Sequence, residues 1–94
     1  MKKIVFVCLG NICRSPMAEF VMKSLTDQLK IESRATSSWE HGNPIHRGTQ
    51  AIFKKYAISY DRNKTSQQIS AADFADFDYV IGMDESNVRD LKRM

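Results

Sequence analysis

The stretch Ile4-Val5-Phe6-Val7-Cys8-Leu9-Gly10-Asn11-Ile12-Cys13-Arg14-Ser15-Pro16 sets the terms for the whole chain. Its apolar opening, Ile4 to Val7, is the kind of short run that forms a buried strand. Gly10 and Asn11 are residue types that accept left-handed backbone conformations, so the chain after the run can curl back on itself. Ser15 reads as an N-cap and Pro16 as the first residue of the helix that follows. A strand, a tight loop and a helix start therefore share one short segment. A curled loop that ends at a helix N-terminus aims several backbone N–H groups at one centre, which suits an oxyanion.

Cys8 opens that loop and Arg14 closes it, in the spacing C-x5-R. A thiol attacks only as its thiolate, and cations and helix N-termini are the surroundings that favour that form. A guanidinium is planar, permanently charged and able to hold two phosphate oxygens at once. A phosphate monoester held by the amides of Leu9, Gly10, Asn11, Ile12 and Cys13 and by Arg14 has its phosphorus over the Cys8 sulfur. The chemistry this pairing suits is attack by Cys8, a phosphocysteine intermediate, and hydrolysis by water. Ser15 is placed to donate a hydrogen bond to the Cys8 thiolate once the leaving group has gone. The alternative is a cysteine that merely packs at a strand end, with Arg14 in a surface ion pair. C-x5-R alone does not separate the two; the strand before it, Gly-Asn inside it and Ser-Pro after it favour the catalytic one.

The 94 residues, of which 43% are hydrophobic, make one small domain with a single core, read as residues 1–94. No apolar run approaches the ~18–20 residues of a membrane span, so a cytoplasmic protein without a membrane partner is expected. Two cysteines are too few for a secreted disulfide scaffold, and no His or Cys cluster calls for a metal or another cofactor. The net charge of +3 is spread along the chain and leaves no nucleic-acid footprint.

Beyond the loop, Met17, Phe20, Val21, Leu25 and Leu29 recur at helical spacing and predict an amphipathic helix of about four turns. Ile31 to Ser38 reads as a weak edge strand. Trp39 to Arg47, with Gly42, Asn43 and Pro44, is a loop. Its Trp39 is either a packing residue or a binding one, and His41 and His46 read as surface histidines. Gly48 to Tyr56 is a second helix, Asp61 to Lys64 a polar loop, and Ser70 to Phe74 a short capped turn with Asp73 at its third position. Tyr79 to Met83 is the next buried strand, and Asp84 caps a last helix carrying Val88 and Leu91. Strands alternating with helices imply a parallel sheet, with ligands at the carboxyl ends of its strands. Cys8 and Asp84 then face one pocket, where Asp84 is read as a cap and an orienting partner for the loop or Arg14, with proton transfer the alternative.

The loop resembles the phosphate-binding loop of the low-molecular-weight protein-tyrosine phosphatases, C-x-G-N-x-C-R-S-P. Every fixed position is present, at Cys8, Gly10, Asn11, Cys13, Arg14, Ser15 and Pro16, and Met83-Asp84-Glu85-Ser86-Asn87 extends the likeness. The resemblance implies an α/β three-layer sandwich with a parallel sheet of strand order 2-1-3, the family's fourth strand and last helix being absent. It implies hydrolysis of phosphotyrosine proteins or small aryl phosphates, with inorganic phosphate or a similar oxyanion held in the loop. It makes Cys13 the reversible redox partner of Cys8 rather than a small buried apolar residue, and it puts Trp39 at a wall of the substrate cleft.

Two features depart from the family. It usually carries a His and an Arg where this chain reads Lys64-Thr65-Ser66-Gln67-Gln68, which leaves the role of that His open. Its general acid is an Asp in an Asp-Pro pair, whereas Pro16 and Pro44 here follow Ser15 and Asn43. The reading is therefore a domain that stops before the general-acid loop, as a fragment or a naturally short form. A phosphate- or phosphotyrosine-binding fragment with little turnover is the alternative, and a bare sheet edge points to self-association. An arsenate reductase needs further cysteines that residues 80–90 lack. An arginine phosphatase carries Thr at the position of Ile12, which favours aryl phosphates here.

Overall fold

The computed structural model describes residues 1–94. In chain order it contains β1 (Lys2–Cys8), α1 (Arg14–Leu25), β2 (Leu29–Ala35), α2 (Arg47–Lys55), α3 (Ala71–Asp76), β3 (Tyr79–Gly82) and α4 (Glu85–Lys92). The three strands form one parallel sheet in the order β2-β1-β3. Its central strand is the apolar run of the opening stretch, registered from Lys2 opposite Leu29 to Cys8 opposite Ala35, and from Ile4 opposite Tyr79 to Val7 opposite Gly82.

A central parallel strand is covered on both faces, so its side chains are apolar in both directions. Val5 and Val7 point to one face, where Ile69, Phe77 and Leu91 complete a core with Val80 against it. Phe6 and Cys8 alternate to the other face, and Cys8 there meets Ser15 of α1. Outside α1 lies a second cluster of Phe20, Ile45 and Phe53, with Met17, Ile58 and Tyr60 packed on it. Phe20 and Phe53 meet edge to face at 5.8 Å between centroids, a favourable arrangement of ring quadrupoles.

Four local readings change, one of them at β3, which ends at Gly82 and, as an edge strand, leaves Tyr79 and Ile81 exposed rather than buried. The first helix stops at Leu25, capped by Thr26, whose N–H bonds the Met22 carbonyl. Leu29 is instead the first residue of the edge strand, which ends at Ala35 rather than Ser38. The helix also turns a different face inward than the apolar spacing indicated: Ser15, Pro16, Glu19 and Phe20 are buried, while Leu25 is 74% exposed. The reason is polar and is given below. The last change is at the helix start. Cys13, not Ser15, occupies the N-cap without a side-chain hydrogen bond. Pro16 is then the third helical residue, still within the first turn, where a missing N–H leaves nothing unpaired.

Elsewhere the caps are chemical. Ser70 and Asp73 form a reciprocal capping box at α3. His46 is a surface histidine as read, and its Nδ1 accepts the Gly48 N–H at 3.0 Å and caps α2. At the end of β3, α4 passes so close that a Cβ on Gly82 would lie 2.8 Å from a Val88 methyl carbon, so this crossing requires glycine.

Candidate active site

The sheet delivers Cys8 to its carboxyl edge, and residues 9–13 curl over the strand end before α1 begins. Asn11 carries the curl, with φ of 55°. Gly10 does not share that conformation; its missing Cβ makes room for Glu40, whose Cγ would sit 3.3 Å away. An L-residue held left-handed costs about 1–2 kcal/mol, and Asn11 is fixed there by its own saturated side chain. Its Oδ1 accepts the Gln67 N–H at 3.1 Å. Its Nδ2 donates to Ser15 Oγ at 2.8 Å and Ser33 Oγ at 2.9 Å.

The direction of these bonds leaves the Ser15 proton free for an acceptor other than Asn11. An amide nitrogen only donates, so Ser15 Oγ accepts from Asn11 and keeps its own hydrogen for another acceptor. Cys8 Sγ lies 3.1 Å from it, with the Arg34 carbonyl at 3.3 Å as the weaker option. Cys8 Sγ also receives the Asn11 backbone N–H at 3.2 Å. The sulfur is thus in contact with one backbone donor and one hydroxyl.

Behind this pair lies a buried anchor. Ser33 Oγ donates at 2.5 Å to Glu19, a carboxylate only 1% exposed. Glu19 is matched by Lys64 at 3.2 Å and Lys23 at 2.7 Å, and Lys64 Nζ also reaches the Ser33 carbonyl at 3.1 Å. These contacts turn the polar Ser15–Glu19 edge of α1 inward. The sequence reading missed Glu19, Ser33 and Lys64. A signal existed, since Pro16, Glu19, Phe20 and Lys23 share one helical stripe with an acid in the middle of it.

Arg14 flanks the loop, half exposed, with Nη1 2.6 Å from Asp84 Oδ2. Asp84 Oδ1 accepts the Asn87 N–H at 2.8 Å and the Ser86 hydroxyl at 2.9 Å. The hydrogen bond from Arg14, then those from Asn87 and Ser86, hold the Asp84 carboxyl down at about 2. The same bond raises the Arg14 guanidinium above its usual value, against the cost of partial burial. Asp84 is thus an anion at neutral pH that joins the phosphate-loop side of the site to α4.

Cys13 is exposed, not the buried apolar residue its spacing also allowed, and its sulfur accepts from the buried Thr49 hydroxyl at 3.2 Å. Trp39 is 78% exposed. It stands two residues beyond Ser37, whose N–H and Oγ are tied to the Leu9 carbonyl at 3.2 and 2.8 Å. Within the loop, Leu9 is exposed and Ile12 partly so. The widest groove, about 560 Å³ between Phe20, Lys23 and Tyr60, lies away from this chemistry.

The sequence matches the family described as low molecular weight phosphotyrosine protein phosphatase over residues 3–94. The chain belongs to that family. It is 44% identical over its full length to the low molecular weight protein-tyrosine-phosphatase YfkJ of Bacillus subtilis. The crystal structure of SP-PTP from Streptococcus pyogenes superposes with a TM-score of 0.99 at 67% identity over the whole chain. Vibrio vulnificus Wzb, solved in complex with benzylphosphonate, superposes with a TM-score of 0.91 at 27% identity over 98% of the chain. The chain spans 64% of the length of each of these phosphatase-family relatives.

Proposed function

We propose that this chain carries the nucleophilic half of an aryl-phosphate hydrolase, acting on phosphotyrosine or small aryl phosphate monoesters through a phosphocysteine on Cys8. The observation that carries the reading is the pair of donors on Cys8 Sγ, from Asn11 N–H and Ser15 Oγ. Beside them stand loop amides of Ile12, Cys13 and Arg14 that donate to no group of the protein. Arg14 binds two phosphate oxygens with the edge not used by Asp84. Cys8 displaces the aryl oxide and forms the S–P bond; water then cleaves that bond, returning the thiolate that Ser15 receives. Trp39 is proposed as the aromatic wall for the departing ring. The phosphonate ligand of Wzb, a phosphorus oxyanion on an arylmethyl group, supports the substrate class. Exposed Cys13 fits the role of reversible redox partner for Cys8. Residues 1–94 are proposed as one domain. No helix is long and apolar enough to cross a membrane, and a cytoplasmic setting with both cysteines as free thiols agrees with this chemistry.

The test is Cys8→Ser, expected to abolish turnover while inorganic phosphate still binds, because the amides and Arg14 remain. Loss of phosphate affinity along with activity counts against the cradle. Arg14→Lys is expected to be nearly as damaging, since a point charge does not replace a fork.

The second reading, a phosphate-binding domain with little turnover, is favoured by Asp84. A general acid must carry a proton at working pH, and a carboxyl held at about 2 does not. Self-association is proposed through the edge strand β3, where Tyr79 and Ile81 are exposed. Light scattering at high concentration is expected to show species larger than the monomer, and a clean monomer refutes it.

A further inference from the structure

Four carbonyls at the start of and along the loop are held by other segments, which turns the following amides the other way. Cys8 O accepts Thr36 N–H at 2.9 Å, Leu9 O accepts Ser37 N–H at 3.2 Å, and Ile12 O accepts His46 N–H at 2.7 Å. Each of these three accepts a backbone N–H of another segment, Leu9 O also taking the Ser37 hydroxyl at 2.8 Å. The Gly10 carbonyl has no backbone donor. Its partner in the structure is a side chain, Ser66 Oγ, at 2.7 Å.

That peptide is the one that matters most to the nucleophile. No peptide bond is cis, and across a trans peptide the C=O and the next N–H point in opposite directions. Fixing the Gly10 carbonyl toward Ser66 therefore fixes the Asn11 N–H toward Cys8 Sγ, which it meets at 3.2 Å. A peptide with glycine on one side and a left-handed residue on the other is the part of the loop with the most freedom to turn over. Turning it over would put a carbonyl oxygen against the thiolate and against any bound phosphate.

Ser66 is well placed to prevent this. It is 1% exposed. Its N–H donates to the Asn43 carbonyl at 2.8 Å and its carbonyl accepts the Gly42 N–H at 3.0 Å, so its backbone is clamped from both sides. The next residue, Gln67, gives its N–H to Asn11 Oδ1. We propose that Ser66 is a positioning residue for the reaction: its hydroxyl latches the Gly10–Asn11 peptide in the orientation that serves the Cys8 thiolate and the phosphate. It touches neither substrate nor sulfur and acts through that one peptide. The proposal rests on the phosphate-binding reading above for its consequence, but the latch itself is measurable without phosphate.

The test uses the 94-residue chain, its Ser66→Ala variant and Ser66→Cys, which keeps a weaker donor of similar size. Arg14 and Cys13, the charged and titratable groups of the same loop, stay in place. Without phosphate, iodoacetamide is expected to alkylate Cys8 of Ser66→Ala severalfold more slowly than Cys8 of the wild type. With inorganic phosphate as protectant, Ser66→Ala is expected to need roughly three- to tenfold more phosphate, the worth of one hydrogen bond, with Ser66→Cys between the two. A merely structural serine would lower the melting temperature and leave both readouts unmoved. Alkylation rates and phosphate requirements within twofold of wild type in both variants overturn the latch. A wild-type chain that phosphate does not protect overturns the phosphate reading instead, while the alkylation comparison still decides the latch.

Discussion

Asp84 shows how a single carboxylate serves structure and chemistry together. One oxygen caps α4 through Asn87 and Ser86, and the other holds Arg14. Asn is also a good N-cap, so Asp84→Asn keeps the helix start and removes the charge facing the guanidinium. Turnover of an aryl phosphate is expected to fall by about ten- to a hundredfold, in the range that misplacement of a positioning group costs. The pH dependence has a definite sign. The folded carboxyl lies at about 2, below its ordinary 3.8, so its contribution to stability is complete above about pH 4 and is lost as the pH falls toward 2. Melting temperatures of wild type and Asp84→Asn are expected to differ by a constant amount from pH 4 upward and to converge near pH 2. A gap that persists below pH 2 would place the effect in packing rather than charge.

Helix α2 ends in a way that invites improvement. Ile58 N–H reaches back to the Phe53 carbonyl at 2.8 Å and Ala57 N–H to Lys54 at 3.3 Å, with Ala57 at φ of 54°. This is a Schellman-type end with alanine where glycine is the natural occupant. Ala57→Gly is expected to stabilise the chain by about 1 kcal/mol, a rise of roughly 4–8 °C in melting temperature for a domain of this size. An unchanged or lower melting temperature would show that the left-handed residue carries no strain. Elements of this kind were legible in the sequence to unequal degrees. The apolar run of β1, the Ser70–Asp73 capping box and the Asp84 cap follow from local rules and lie where those rules put them. The end of α1 does not, because Leu29 continues a helical spacing while pairing beside Lys2 makes it a strand residue. The buried face of α1 was hidden for a related reason. Glu19 goes inward to meet Lys64 from a loop 45 residues later, and no local pattern encodes that meeting. Cys8, Arg14 and Asn11 could be named from the loop alone, whereas Ser33 and Ser66 become functional candidates only once the fold brings them to it.

At the scale of the whole molecule, the arrangement of carboxylates bears on how the proposed aryl-phosphate hydrolysis would run. Expelling a phenolate without a proton is slow, and a general acid typically contributes ~10²–10⁴-fold. Two carboxylates stand near the phosphate loop. Asp84 is ionised and engaged by Arg14. Glu40 lies against Gly10 and accepts the Asn43 side-chain amide at 2.7 Å. If neither delivers a proton, the rate must follow how well the leaving group departs as an anion. The expectation for this chain is ready cleavage of nitrophenyl phosphate and cleavage of phosphotyrosine slower by a factor within ~10²–10⁴. A series of aryl phosphates of graded phenol pKa, with log kcat plotted against that pKa, is expected to give a steep negative slope that Glu40→Gln leaves unchanged. A flat slope with good phosphotyrosine turnover would mean that a carboxylate of these 94 residues donates the proton. Glu40 would then be the first to test, because Asp84 would have to give up the ion pair that orients Arg14 in order to take a proton at all.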